Sequence, residues 1–208
     1  MTIVTINIDD DHHSIRQGIS TQDSDMRVSR EQAARNRERI LKAAARLMRE
    51  RGIAGVSVDA LTEAAGMTHG SLYSQFGSRQ RLVEEAVAHA IAAKGREAPP
   101  ALALSDYVSE YLSAAHRDRL GSGCPLAALC CEMPRQNKAV RERFTAGVKA
   151  MIGWVSGRLD SSVRQGRRDD EALATVASLV GALVLARAVS DPELSDDILR
   201  ATRNRLDA

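Results

Sequence analysis

Residues 64–82, AAGMTHGSLYSQFGSRQRL, constrain the fold more than any other stretch, because a helical pattern is broken and restarted within a few residues. Gly66 closes the preceding segment VSVDALTEAAG, a short helix with Ser57 as N-cap and Leu61, Ala64 and Ala65 turned inward. Thr68 caps the next segment, HGSLYSQF, whose buried line is Leu72 and Phe76. Ser78 caps RQRLVEEAVAHAIAAKG, with Leu82, Val83, Ala86, Val87 and Ala90 on one stripe. Upstream, EQAARNRERILKAAARLMRERG sets Ile40, Leu41, Ala44, Leu47 and Met48 at three-and-four spacing, with Gly52 as its stop. A longer helix across two short ones that meet at a glycine turn is helix-turn-helix geometry.

In that geometry the second short helix enters the DNA major groove by its N-terminal end. The groove is about 12 Å wide, so the entering side chains must be short or polar. Thr68, His69, Gly70 and Ser71 meet that need. Gly70 costs roughly 1 kcal/mol against alanine in a helix, which makes sense where backbone must approach a phosphate or the first helix. Tyr73 lies off the Leu72/Phe76 line, where its hydroxyl reaches a phosphate oxygen. Arg79, at a helix N-terminus, forms a second phosphate clamp. Spacing alone also allows a plain helical hairpin with good caps. Charge favours the nucleic acid: residues 31–95 hold ten Lys/Arg against seven Asp/Glu, whereas residues 1–30 hold three against five. The whole-chain balance of +2 is uninformative by comparison.

Elsewhere the pattern is helical too. Residues 1–30 read as a flexible tail with acidic clusters and no helical period, and His12 and His13 beside Asp9, Asp10 and Asp11 read as solvated rather than metal-binding. The apolar Ile3, Val4, Ile6 and Ile8 allow local pairing only. REAPPALALS is a linker, since a helix does not run through its Pro-Pro pair. Helices follow at about 105–120, 125–133, 138–164, 170–189 and 195–206, so the fold class is all-α. No apolar run is long enough for a membrane span, and no secretory signal pattern opens the chain. Cys124, Cys130 and Cys131 stand in no disulfide spacing, which fits a reducing cytoplasm. A Cys–His nucleophile would require Cys124 near His116 or Cys130 near His89. No motif supports one, so no enzyme, metal or cofactor is expected.

RERILKAAARLMRERGIAGVSVDALTEAAGMTHGSLYSQFGSRQRLVEEAV resembles the DNA-binding domain of the TetR family of transcriptional regulators over about fifty residues. The resemblance implies DNA contact by Ser57, Thr68, His69, Gly70, Ser71, Tyr73 and Ser74, with Arg79 where the family has a phosphate-binding lysine. His69 and Gln75 depart from the family's common residues, which affects the operator sequence rather than the fold. The 1–30 tail is longer than is typical of the family, and its acidity argues against a minor-groove arm; after it come a 31–95 helix-turn-helix domain and a larger 96–208 helical domain, which the resemblance implies binds a small molecule and dimerises.

The second half bears on that directly. Residues 170–189 are apolar almost all round, and Ala174, Ser178, Gly181 and Ala182 let another helix come close. Packed with LSDDILRATRNRL against a second copy, they form a four-helix bundle across a two-fold axis; a central core helix is the alternative. Tyr107, Tyr111, Met133, Met151 and Trp154 are candidates to line an apolar pocket, and plain core packing is their alternative. Cys124 precedes a helix starting at Pro125, whose dipole lowers a thiol's pKa, so a thiol sensor is a further possibility. The expected function is a ligand-responsive regulator, a repressor, that binds a near-palindromic double-stranded DNA operator as a homodimer through residues 68–76. A purely architectural DNA binder is the other reading.

Overall fold

The computed structural model describes residues 13–97, 101–159 and 165–207, and among them no strand occurs. The helices are α1 (His13–Arg51), α2 (Val58–Ala65), α3 (His69–Phe76), α4 (Arg79–Glu97), α5 (Leu104–Tyr111), α6 (Ala114–Asp118), α7 (Pro125–Leu129), α8 (Lys138–Ser156), α9 (Gln165–Ala188) and α10 (Pro192–Leu206). A 3-10 turn, Cys130–Arg135, follows α7. The all-α class holds.

Two compact units divide the chain, Met1–Arg39 and Ile40–Ala208. In the first, the tail expected over residues 1–30 is helical from His13 onward. Adding residues to a helix already started escapes the cost of nucleation, so an aperiodic polar segment can extend one. The pair Gln32–Asn36, joined at 2.9 Å, supports this stretch one turn apart. Ile3, Val4, Ile6, Ile8, His12 and the aspartates at 9–11 lie outside the described residues, as do Pro99 and Pro100 of the linker.

In the second unit the caps form where the letters place them. Gly52 ends α1 with φ +75°, its N–H on the Met48 carbonyl at 2.9 Å. Ser57 Oγ accepts from the Ala60 N–H at 3.1 Å and Thr68 Oγ1 from the Ser71 N–H at 3.2 Å. Gly66 takes the left-handed conformation, φ 61° and ψ 44°, and the Met67 N–H closes the turn on the Thr62 carbonyl at 2.8 Å. Ile40, Ala44, Leu47 and Met48 of α1 pack with Leu61, Leu72, Phe76 and the Leu82/Val83/Ala86/Val87 stripe of α4 in one core. On α2, Thr62 rather than Ala64 is buried, with its hydroxyl donated to the Asp59 carbonyl at 2.9 Å. That core is completed from the second half by Leu129, Met133 and Val140.

A second core joins α5, α7, α9 and α10 through Val108, Leu112, Leu126, Leu179, Leu183 and Leu199. The helix expected at 105–120 is broken after Leu112, because Ser113 caps a new helix: its Oγ accepts from the His116 N–H at 3.1 Å and donates to the Glu110 carbonyl at 2.8 Å. The helix expected at 138–164 stops at Ser156, with Gly157 as its cap. In α9, Ala172, Val176, Leu179, Leu183 and Ala186 face inward, whereas Leu173 and Leu185 are exposed. Residues Gly166–Ala188 are long and apolar enough to cross a membrane by composition, yet α7, α8 and α10 pack against this helix.

Candidate nucleic-acid interface and internal cavity

The short helix α3 has two faces. Leu72 is 0% exposed and Phe76 2%, and both sit in the first core. On the other side Thr68, His69, Gly70, Tyr73 and Ser74 are exposed, Tyr73 by 46%, and Ser71 is half-buried. Ser57 is exposed at the start of α2. These seven residues lie at the α2 N-terminus and on or just before the short helix α3. A β-carbon on Gly70 would meet only Thr68 Oγ1, at 4.0 Å, so this glycine does not accommodate a neighbouring helix. His69 Nε2 pairs with Asp59 Oδ1 at 2.6 Å across the α2–α3 pair. Ser74 Oγ donates to the Ser71 carbonyl at 2.9 Å.

Arg79 is placed differently from the clamp expected of it. One terminal nitrogen donates to the Ile53 carbonyl at 2.8 Å and to the Val56 carbonyl at 3.1 Å, tying α4 to the loop between α1 and α2. The residue remains exposed, but that nitrogen is committed to the protein. On the same loop, Glu132 accepts from the Ile53 N–H with both oxygens, at 2.9 and 3.0 Å, and from the Ala54 N–H at 3.1 Å. A β-carbon on Gly52 would be strained at φ +75° and would lie 2.6 Å from Glu132 Oε1, so a larger residue there would push this carboxylate off its present place. Sequence reasoning gave Glu132 no role.

Between α4 and the second half lies a cavity of about 490 Å³. Tyr107, Tyr111, Met151 and Trp154 line it, together with Cys124 and His116. Tyr107 packs on Trp154 with ring centroids 4.5 Å apart and on Tyr111 at 5.6 Å. The Arg158 guanidinium lies 3.7 Å from the Trp154 ring centroid. Met133, expected among the lining residues, does not line the cavity. The 3-10 turn points it into the first core with α1, α2, α3 and α4, where it is 6% exposed.

The buried polar groups at the cavity wall are sharply constrained. His116 Nε2 accepts from the Cys124 N–H at 3.0 Å, so Nδ1 carries the proton and donates to the Tyr111 carbonyl at 2.7 Å. Burial first, and then the Arg187, Lys94 and Arg119 charges, hold the imidazole below its ordinary pKa, against the opposing pull of the Tyr111 carbonyl. Both ring nitrogens are used by backbone groups, so His116 has no lone pair left for the Cys124 thiol. Arg187 donates to the His116 carbonyl at 2.9 Å and the Arg117 carbonyl at 3.0 Å. Tyr111 is 4% exposed and its hydroxyl has no hydrogen-bond partner among the described residues, although the Cys124 sulfur is near enough to influence it. Burial, followed by that neighbouring thiol, pushes the phenol well above its usual pKa, so it stays a donor. Cys124 itself is buried and precedes a helix of only five residues without a side-chain cap bond, a weaker dipole setting than the sequence suggested.

Comparison with known proteins agrees with this arrangement. Residues 40–86 match bacterial regulatory proteins of the tetR family, and residues 100–202 match a tetracyclin repressor-like C-terminal domain. The chain belongs to the TetR family. It is 32% identical over 184 residues to the HTH-type transcriptional regulator Rv0196 of Mycobacterium tuberculosis, across 82% of this chain and 93% of that one. A TetR family transcriptional regulator from Agrobacterium tumefaciens has the same fold, with a TM-score of 0.68 at 22% identity over 83% of this chain and 98% of that one. So does a TetR transcriptional regulator from Chloroflexus aurantiacus, with 0.68 at 21% identity over 85% and 94%. The protein is thus a TetR-family transcriptional regulator with a helix-turn-helix DNA-binding domain.

Proposed function

We propose that this TetR-family regulator acts as a homodimeric, ligand-responsive repressor. In this reading α3 lies in the major groove of a near-palindromic double-stranded operator, and a small molecule in the cavity releases the DNA. The carrying observation is the division of α3 into a buried Leu72/Phe76 edge and an exposed Thr68/His69/Gly70/Tyr73/Ser74 edge. Thr68, His69, Gly70, Ser71 and Ser74 supply the short or polar groove-facing groups, with Ser57 and Tyr73 on phosphates. Arg79 then acts mainly by fixing the loop before α2 rather than as a free clamp. Residues 31–95 serve as the reading head and residues 96–208 as the regulatory half.

Two features support the remaining parts. Leu173 and Leu185 of α9 and Leu194 of α10 are 50%, 56% and 47% exposed in a single chain, apolar side chains that suit burial against a second copy. Two heads on a two-fold axis read two half-sites, so changing their separation weakens binding. Ile91, Lys94 and Gly95 of α4 line the cavity, and the Leu82/Val83/Ala86/Val87 stripe of the same helix packs in the reading-head core. A ligand that fits one α4 position better shifts the equilibrium toward it. The cavity also argues against an architectural binder with a filled second half. One observation favours a second mode: Cys124 lines the cavity, so an electrophile that enters meets a thiol. The setting for either mode is the cytoplasm.

The test uses the full-length protein to select duplexes from a random-sequence library. A dyad-symmetric sequence should emerge, its affinity falling steeply with salt. The double variant Thr68→Ala/Tyr73→Ala should lose at least about tenfold in affinity, while the lost Thr68 cap lowers stability by only about 1 kcal/mol and leaves the protein folded. Equal binding by that variant would refute the α3 assignment. A thermal-shift screen of apolar and thiol-reactive compounds on wild type and Cys124→Ser separates the two effector modes.

A further inference from the structure

Two thiols outside the cavity remain unused by this reading. Cys130 and Cys131 open the 3-10 turn with their sulfurs 3.8 Å apart, Cys131 exposed and Cys130 half-buried with its S–H on the Ala127 carbonyl at 3.7 Å. No cis peptide occurs among the described residues, so the two α-carbons are held about 3.8 Å apart. A relaxed disulfide needs them at roughly 4.4–6.8 Å, so direct oxidation of this pair is disfavoured. One soft atom between the sulfurs escapes that limit, because it lets them stay near their present separation.

We propose that Cys130 and Cys131 form a two-sulfur site for trivalent arsenicals, and that filling it loosens the grip of Glu132 on the loop between α1 and α2. The reaction is a condensation. An arsenic(III) oxide, R–As=O, takes both sulfurs, two As–S bonds replace the As=O bond, and the two thiol protons leave with that oxygen as water. Arsenic keeps its oxidation state, and no oxidant or reductant is consumed.

The setting selects for this chemistry over others. Burial and the neighbouring thiol push Cys130 up to about 11, so reactions that need its thiolate are slow near neutral pH. Condensation releases water and needs no standing thiolate. A monothiol competitor offers one sulfur at a time, whereas the pair closes a ring and gains the second bond without a second encounter.

The turn also carries the signal. The residue after the pair is Glu132, whose carboxylate holds the Ile53 and Ala54 N–H groups, and the next is Met133, buried in the reading-head core. Condensation removes the Cys130 S–H that the Ala127 carbonyl accepts and closes residues 130 and 131 in a ring, which resets the turn that carries Glu132. The binding step does not depend on the DNA reading; only its consequence for an operator does.

The test treats the full chain with phenylarsine oxide and follows intact mass, free-thiol content and amide hydrogen exchange. Wild type should gain one phenylarsenic group, lose two titratable thiols, and keep the adduct through a glutathione chase but release it to a small dithiol. Cys131→Ser, an exposed substitution, should lose the group in the glutathione chase, and Cys124→Ser should behave as wild type. In the wild-type adduct the Ile53 and Ala54 amides should exchange about tenfold faster. Survival of the adduct through the chase in Cys131→Ser, or its loss in wild type at the same rate, would overturn the site. An adduct that leaves both amides unchanged would overturn the coupling to the reading head.

Discussion

Removing the Glu132 carboxylate tests how the two halves are joined. It is half-buried and receives the Ile53 N–H at 2.9 and 3.0 Å and the Ala54 N–H at 3.1 Å. A hydrogen bond to a charged acceptor nets about 1.5–3 kcal/mol, and a donor left without a partner costs about 1–3 kcal/mol. Water reaches this partly exposed site and replaces some of the loss. Glu132→Ala should therefore lower unfolding stability by about 2 kcal/mol. Glu132→Gln keeps one carbonyl oxygen but turns an amide N–H₂ toward the donors, and should cost about 1 kcal/mol. Urea denaturation at an unchanged m-value gives the stability, and amide exchange at Ile53 and Ala54 gives the local effect. The amides should exchange about 5- to 30-fold faster in Glu132→Ala. Both variants within about 0.5 kcal/mol of wild type, with unaltered exchange, would refute the carboxylate's role in holding the loop.

Three further outcomes follow from the same geometry. Leu72→Ala removes a side chain that is 0% exposed beneath α3 and should cost about 2–5 kcal/mol in chemical denaturation, with loss of DNA affinity. Tyr111→Phe deletes a buried hydroxyl that lacks a partner among the described residues, so thermal stability should hold or rise by up to about 1 kcal/mol, against the usual trend. The folded pKa of His116 lies below its ordinary 6.5, so its contribution to stability is complete above that value. As pH falls below it, the unfolded chain binds the proton first, and stability declines until the folded pKa is reached. Unfolding curves between about pH 7.5 and about pH 5.5 should show that decline, and His116→Gln should flatten it.

Much of the candidate interface was legible because its determinants are local. Ser57, Thr68 and Ser78 cap the helices that their letters announce, each by accepting an N–H three residues on. Leu72 and Phe76 share a face because four residues make about one helical turn. Arg79 and Glu132 were not readable in the same way. Their partners lie 23 to 79 residues away, and no short-range pattern marks a carbonyl or amide exposed by a distant loop. The neutral His116 was likewise hidden, since its state depends on Cys124, Tyr111 and Arg187 meeting around one ring.

The amino-acid sequence by itself determined the helical class, the glycine turns, and the polar and apolar edges of α3, because each depends on backbone preference and periodicity within a few residues. Only the tertiary structure decided that Met133 belongs to the reading-head core, that Tyr107, Tyr111, Met151 and Trp154 surround one cavity, and that Cys130 and Cys131 sit beside the strap to the α1–α2 loop. Those are long-range outcomes of packing. They depend on which faces exclude water together, and neighbouring letters carry no record of that.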